Sequence, residues 1–384
     1  MSKLAIKQYK QIFKSEPSYL YRAPARINLI GEHIDYNGGK VLPACISKYI
    51  YASVGKRDDE QIILKTTFDG DLKQKSLQNL AFNNEMGWEK YPLGVFYILK
   101  QKGYEIPFGL NIVFDSEIPM ASGLSSSAAL LDLTVYLVND IYALGLDRKQ
   151  ITLIAQEVEN SYCQLKSGIM DQAIIALGKE KQALLLDCAS FNYTYCPMDL
   201  GDYEFVVMQT NKPRRLIESK YNERVDECQR ALALIKKHYS ISNLAELKVS
   251  DLKKVESLLG DALLYKRVLH VVKENQRVYD FIEAMKKGHV KTLGRLLNES
   301  HLSLKEDYEV TGQHLDSLYE AALQANALGA RMTGAGFGGC AIALIKKSDF
   351  SSFASKVKES YKKDIGIDAD VYEVDIVDGV NRLY

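Results

Sequence analysis

Pro119-Met-Ala-Ser-Gly-Leu-Ser-Ser-Ser-Ala-Ala-Leu-Leu131 sets a glycine and a run of serines directly before an apolar helix. Four properties converge there. Gly123 lets the backbone approach a ligand closely. Serine hydroxyls donate to oxyanions. The first helical turn carries N–H groups with no intrahelical acceptor, and the helix dipole favours negative charge at that end. Together they describe a phosphate cradle, although the residue order is not that of the G-x-x-x-x-G-K-[ST] loop. A helix cap would need only one of these serines.

Working outward, 125–144 is Ala/Leu-rich and reads as a buried helix stopped at Gly145. A second helix is expected over 147–161, with Asp147 as its N-cap. Apolar, β-branched runs at 19–30, 49–56, 61–66, 110–114, 183–186, 204–209, 339–345 and 369–376 read as strands. Helical spacing covers 3–15, 219–240 and most of 250–330. A chain of 384 residues exceeds one ordinary core, so two domains are expected. The stretch 191–201 looks like a connector, giving units 1–195 and 196–384.

Two further clusters carry chemistry. Arg331-Met-Thr-Gly-Ala-Gly-Phe-Gly-Gly-Cys340 runs into an apolar strand. A dinucleotide fingerprint opens a helix after a strand, the reverse order, so a loop closing over a nucleotide or substrate fits better. Arg22-Ala-Pro-Ala-Arg-Ile-Asn-Leu-Ile-Gly-Glu-His-Ile-Asp-Tyr-Asn-Gly-Gly39 packs Arg26, Asn28, Glu32, His33 and Asp35 at the end of an apolar strand. Sugar hydroxyls both donate and accept, and such a set of carboxylates, His and Asn suits them.

Lys+Arg and Asp+Glu both number 49, so formal net charge is zero. This argues against affinity resting on overall positive charge, as for nucleic acid. The six cysteines show no C-x-x-C spacing and read as buried thiols of a cytoplasmic protein. No run approaches a membrane span, and the N-terminus lacks the apolar stretch of a signal peptide. No nucleic-acid or membrane partner is expected. The histidines at 238, 270, 289, 301 and 314 show no metal spacing.

The three clusters resemble the three motifs of the GHMP kinases. Arg26-Ile-Asn-Leu-Ile-Gly-Glu-His-Ile-Asp-Tyr-Asn37 is similar to the signature of the galactokinases within that superfamily. Further similarity runs through Trp88-Glu-Lys-Tyr-Pro-Leu-Gly-Val95, Gly168-Ile-Met-Asp-Gln172, Asn211-Lys-Pro-Arg214, Ser219-Lys-Tyr-Asn-Glu-Arg224 and Ser300-His-Leu-Ser-Leu304, essentially the full length.

The resemblance implies an α+β fold of two domains. The N-terminal one resembles domain 2 of ribosomal protein S5, the C-terminal one is ferredoxin-like, and the active site lies between them. It implies ATP-dependent phosphorylation of the anomeric C1 hydroxyl of galactose, with Mg²⁺. Asp171 would be the general base and Arg26 would hold it ionised and steady the γ-phosphate. Glu32, His33, Asp35, Gly168 and Tyr221 would bind the sugar. Gly123, Leu124, Ser125, Ser126, Ser127 and Ala128 would cradle the ATP phosphates, with Trp88 and Tyr91 beside the adenine. Ser126 and Glu159 would ligate Mg²⁺, the choice among the serines being open. A cytoplasmic monomer is expected.

Four positions depart from the galactokinase pattern: Ala25 for Gly, Ile34 for Thr, Leu131 for Glu (with Asp132 next to it) and Ser167 for Cys. Ala25 and Ile34 flank sugar-reading residues, which leaves N-acetylgalactosamine or another galactose-like sugar as an alternative substrate. A non-catalytic sugar and ATP sensor is the other alternative. It need not keep Arg26, Asp171 and Glu159.

Overall fold

The Tyr19–Asn28 strand is buried along nearly all its length and anchors the first half of the molecule. The computed structural model describes residues 3–119, 122–212 and 217–384. Met120, Ala121, Pro213 and Arg214 of the quoted motifs lie outside the described residues. A six-stranded sheet places Tyr19–Asn28 between the 14-residue strand Pro43–Lys56 and the last strand of the chain, Asn381–Arg382. Leu110–Ser116, Gln61–Thr66 and Lys73–Ser76 complete it. The Ser126–Tyr142 and Met170–Leu177 helices pack on this sheet. Both are almost wholly apolar on their inner faces, so the core forms there.

The second half is a four-stranded antiparallel sheet in the order Gly329–Thr333, Cys340–Lys346, Tyr203–Gln209, Asp370–Glu373. Its first strand in the chain lies between the third and the fourth, which is the ferredoxin-like order. Helices Val290–Glu306, Gly312–Gln324 and Phe350–Ile365 cover it. The 25-residue helix Ala262–Lys286 packs against Val290–Glu306 and Ile217–Ile235.

The stretch 191–201 is not the plain connector expected of it. Tyr193–Pro197 is a strand, paired with Gln182–Asp187 in a three-stranded sheet. It straddles position 195, so the break between the sheets comes after Pro197. The chain end also crosses back: Leu383 N–H donates to Leu20 O at 2.7 Å. The expected 147–161 helix is α-helical over Arg148–Glu157 and widens to a π-turn over Val158–Tyr162. Asp147 caps it, with Gln150 completing a capping box. All six cysteines are free thiols. No helix among the described residues is long and apolar enough to cross a membrane.

Candidate active site

A register shift between Pro24 and Ala25 bends the Tyr19–Asn28 strand just before Arg26. Proline has no N–H to offer the ladder, so a bulge there costs little, and bulges re-aim side chains. Arg26 turns into the cleft between the two halves, 4% exposed. Its Nε and Nη2 donate to Asp171 Oδ1 and Oδ2 at 2.7 and 2.8 Å, a two-pronged pair across 145 positions of sequence. Its Nη1 donates to Gly123 O at 2.7 Å. One guanidinium thus joins the carboxylate to the serine loop. Burial works against the Arg26 charge, but Asp171, Glu32 and Asp35 outweigh it and raise its pKa.

Asp171 stands in the first turn of Met170–Leu177. Its Oδ2 also accepts from Ser125 Oγ. Ser125 precedes the Ser126–Tyr142 helix in a left-handed conformation, φ 63°. That conformation costs a non-glycine residue energy and points to a functional constraint. Gly334 meets Gly123 here. A Cβ on Gly334 would lie 2.5 Å from Gly123 O, so the two glycine loops pack backbone to backbone.

The loop after Tyr19–Asn28 supplies the acceptors. Glu32, 2% exposed, receives Arg331 Nη1 at 2.7 Å and Gly334 N–H at 3.0 Å. Burial raises its pKa, and Arg331 then Arg26 counter this. His33 is left-handed, φ 62°, and its Nδ1 lies 2.9 Å from Tyr36 Oη. Burial holds its pKa down to about 3, so the ring is neutral near pH 7. Asp35 opens a short 3₁₀ turn. Burial, then the negative charge of Asp171, push its pKa up to about 7. Gly168 touches it so closely that any Cβ there would collide with Asp35 Oδ2. Tyr221, on Ile217–Ile235, packs its ring 5.7 Å from His33 and 5.4 Å from Tyr36.

Arg26, Glu32, His33, Asp35, Gly168, Asp171 and Tyr221 all line one cavity of about 240 Å³, with Tyr91, Ser127 and Glu159 at its other side. The loop residues divide by direction. Leu124 and Ala128 are buried in the core, each 1% exposed, and Leu124 O accepts Arg26 N–H at 3.3 Å. Ser126 is exposed to solvent, whereas Ser127 lines the cavity together with Glu159 and works to lower the Glu159 pKa. Glu159, 5% exposed, accepts from Gln172 Nε2 at 2.6 Å. Burial, then the charge of Asp171, raise its pKa. Next door, Trp88, Tyr91, Phe68, Ser126 and Ser127 line a largely apolar pocket of about 360 Å³. Trp88 packs edge-on to Phe114 at 6.0 Å, and its Nε1 donates to Asp69 Oδ2 at 3.3 Å.

Over their whole lengths, the chain and the galactokinase of Enterococcus faecalis are 43% identical. The chain belongs to the galactokinase family. The galactokinase of Staphylococcus carnosus is 43% identical over 98% of both chains. The galactokinase galactose-binding signature matches residues 7–56, the GHMP kinases N terminal domain 90–179 and the GHMP kinases C terminal 281–363. The crystal structure of Lactococcus lactis galactokinase complexed with galactose superposes with a TM-score of 0.96, at 40% identity and covering 98% of each chain. Methanococcus jannaschii mevalonate kinase shares the fold, with a TM-score of 0.70 at 19% identity over 94% of this chain and 98% of that one.

The departures from the galactokinase pattern are now placed. Ile34 is fully buried and packs against Gly39, where a Cβ would lie 2.7 Å from its Cδ1, so it faces the core. Ala25 and Leu131 are also fully buried. Ser167 does line the cavity, and its Oγ donates to Asn160 Oδ1 at 3.0 Å. Asp132 is fully buried with neither carboxyl oxygen hydrogen-bonded among the described residues. Burial, then the negative charge of Glu159, push its pKa well above the usual carboxylate range.

Sequence reasoning missed three residues of this galactokinase-family site. Arg331 was quoted only as the head of a glycine loop. Its signal was a charge in an otherwise apolar strand that the structure buries completely. Tyr36 lay within a quoted motif without a role. Tyr308, whose Oη is 2.8 Å from Tyr36 Oη, carried no signal at all.

Proposed function

We propose that this chain transfers the γ-phosphoryl group of ATP to the anomeric C1 hydroxyl of galactose. The observation that carries the reading is the two-pronged Arg26–Asp171 pair, set where the acceptor-rich loop meets the serine loop. Asp171 accepts the C1 hydroxyl proton as that oxygen bonds to the γ-phosphorus. The bond from phosphorus to the bridging oxygen breaks, and ADP leaves with the electron pair. Arg26 aims Asp171, because its two parallel N–H groups fix both carboxylate oxygens. It also lies close enough to the serine loop to meet charge on the transferring group.

Glu32, His33, Asp35 and Tyr221 read the sugar hydroxyls, with the Gly168 backbone against Asp35. A neutral His33 can donate or accept, as a hydroxyl requires. The ATP phosphates lie over the Gly123–Ser127 backbone, and the apolar pocket at Trp88 and Tyr91 receives the adenine. Glu159 with the Ser127 hydroxyl fits Mg²⁺, since a buried carboxylate near Asp171 gains from a cation that relieves their repulsion. When bound, Mg²⁺ neutralises phosphate charge.

Galactose is favoured over N-acetylgalactosamine because Ile34 turns away from the cavity. Asp171→Asn should cut galactose-dependent ADP release by roughly 10² to 10⁴-fold while ATP binding persists. Near-normal turnover in that variant would remove Asp171 as the base. A panel of galactose, N-acetylgalactosamine and other galactose-like sugars tests the substrate. No turnover with galactose alongside turnover of another sugar would replace the assignment.

A further inference from the structure

Between Gly31 and Asp35, the stretch that carries Glu32, His33 and Asp35, two residues are left-handed, Gly31 at φ 95° and His33 at φ 62°. Glycine adopts this region freely, histidine does not. A strained residue persists only where its surroundings over-determine it. The restraints come from the other half of the molecule. Glu274, fully buried on Ala262–Lys286, accepts Gly31 N–H at 2.9 Å and Glu32 N–H at 3.2 Å on the same oxygen, Oε1. Ser300 Oγ donates to that oxygen at 2.7 Å. Arg277 Nε holds Oε2 at 2.7 Å. Burial would raise the Glu274 pKa, but Arg277 and then His270 reverse this and hold it at about 2. His270 Nε2 meets Glu32 O at 3.0 Å, and its Nδ1 meets Ser303 Oγ at 3.0 Å.

Ser300 and Ser303 belong to the Ser300-His-Leu-Ser-Leu304 motif, which the proposed chemistry does not use. Its histidine braces the opposite loop. His301 Nδ1 accepts Met332 N–H at 3.3 Å, just before the second glycine loop, and its ring stacks on Tyr319 at 4.0 Å. One helical turn therefore supports both walls of the cavity.

We propose that Glu274, set by Arg277 and Ser300, is a positioning residue for sugar recognition: it fixes the 31–33 backbone so that Glu32, His33 and Asp35 face the sugar. The inference rests on reading the cavity as the sugar site. It makes sugar affinity depend on a carboxylate that touches no substrate. Among the described residues Glu274 makes no hydrogen bond to Ser127 or Glu159, so the ATP side should respond far less than the sugar side.

The test uses the full chain and the variants Glu274→Gln and Ser300→Ala. Glu274→Gln keeps an acceptor for the backbone but turns an N–H₂ toward Arg277, donor against donor. Galactose KM should rise about tenfold or more, with ATP KM within about twofold and kcat within about threefold. Adding Arg277→Met should remove the clash and bring galactose KM back to within about threefold of the parent. Ser300→Ala takes away one hydrogen bond, should leave folding intact and should raise galactose KM about threefold. A lowered Tm with unchanged galactose KM, or equal rises in both KM values, would overturn the proposal in either variant. Galactose binding by the unmodified chain, measured calorimetrically, is the separate check on the cavity itself. If that fails, the sugar reading fails. If it holds and the variants bind equally well, only the role of Glu274 fails.

Discussion

Asp35 is a carboxyl placed where ionising it is costly. Burial and Asp171 lift its pKa to about 7, against an ordinary 3.8. The stability this group contributes is full below about pH 3.8 and is lost as pH rises through about 7. The charged form is nevertheless the strong acceptor for sugar hydroxyls. Galactose affinity should therefore tighten between pH 6 and 8 while the Tm of the sugar-free protein falls. Asp35→Asn should raise Tm at pH 8 relative to the parent, leave it unchanged at pH 4, and lose galactose binding. Thermal melts and titration calorimetry across pH measure both arms. A Tm difference independent of pH would show that Asp35 is already ionised at low pH. The chemical character of this neighbourhood was legible in Glu32, His33 and Asp35, because carboxylates and His crowded beside glycine have few other uses. Its pairing was not. Arg26 and Asp171 lie 145 positions apart, and no local pattern links them. Only the resemblance to a family joined them before the fold did.

Strong periodicity made most elements readable, and the failures have physical causes. Gln61–Thr66 appears with its expected bounds, because a short run of Ile62, Ile63 and Leu64 sits between charged residues on either side. Tyr193–Pro197 escaped notice because it is an edge strand whose residues are all exposed or half-buried, leaving no apolar alternation to see. The π-turn Val158–Tyr162 also escaped notice, since it repeats the helical pattern with one residue more per turn. That turn delivers Glu159 to the cavity, and Gly94 of Lys90–Gln101 makes room for it. A Cβ on Gly94 would come within 2.6 Å of Tyr162 Cδ1 and 2.7 Å of Val158 Cγ1. Gly94→Ala should displace the turn and raise the Mg²⁺ concentration needed for half-maximal rate. Asp147→Ala, which removes the cap of the same helix, should cost about 1 kcal/mol in urea unfolding and leave the Mg²⁺ dependence alone. If both variants shift Mg²⁺ dependence equally, the turn has no special part in placing Glu159.

Across the whole molecule, two sheets of different pattern share one cleft, and the chain crosses between them more than once. Length and the shift in composition near 195 led to an expectation of two units, and the strand Tyr193–Pro197 runs across that position. The return of the chain end was not, because a two-residue strand has no period. Asn381 and Arg382 pair with Arg22 and Tyr21, the residues four and five positions ahead of Arg26. Arg148 Nη1 donates to Val380 O at 2.7 Å, and Gly379 N–H to Gly178 O at 2.9 Å. Removing residues 379–384 should strip the edge of the first sheet, lower Tm by several degrees and cut activity per molecule at temperatures well below the melt. An unchanged melting curve would show that the tail only decorates the sheet. The same pairing sets an order of events during synthesis. The strand bearing Arg26 leaves the ribosome well before its neighbour Asn381–Arg382. The first sheet keeps that edge open until Asn381 and Arg382 are made. A nascent chain therefore carries the guanidinium that aims Asp171 on a strand still short of one partner.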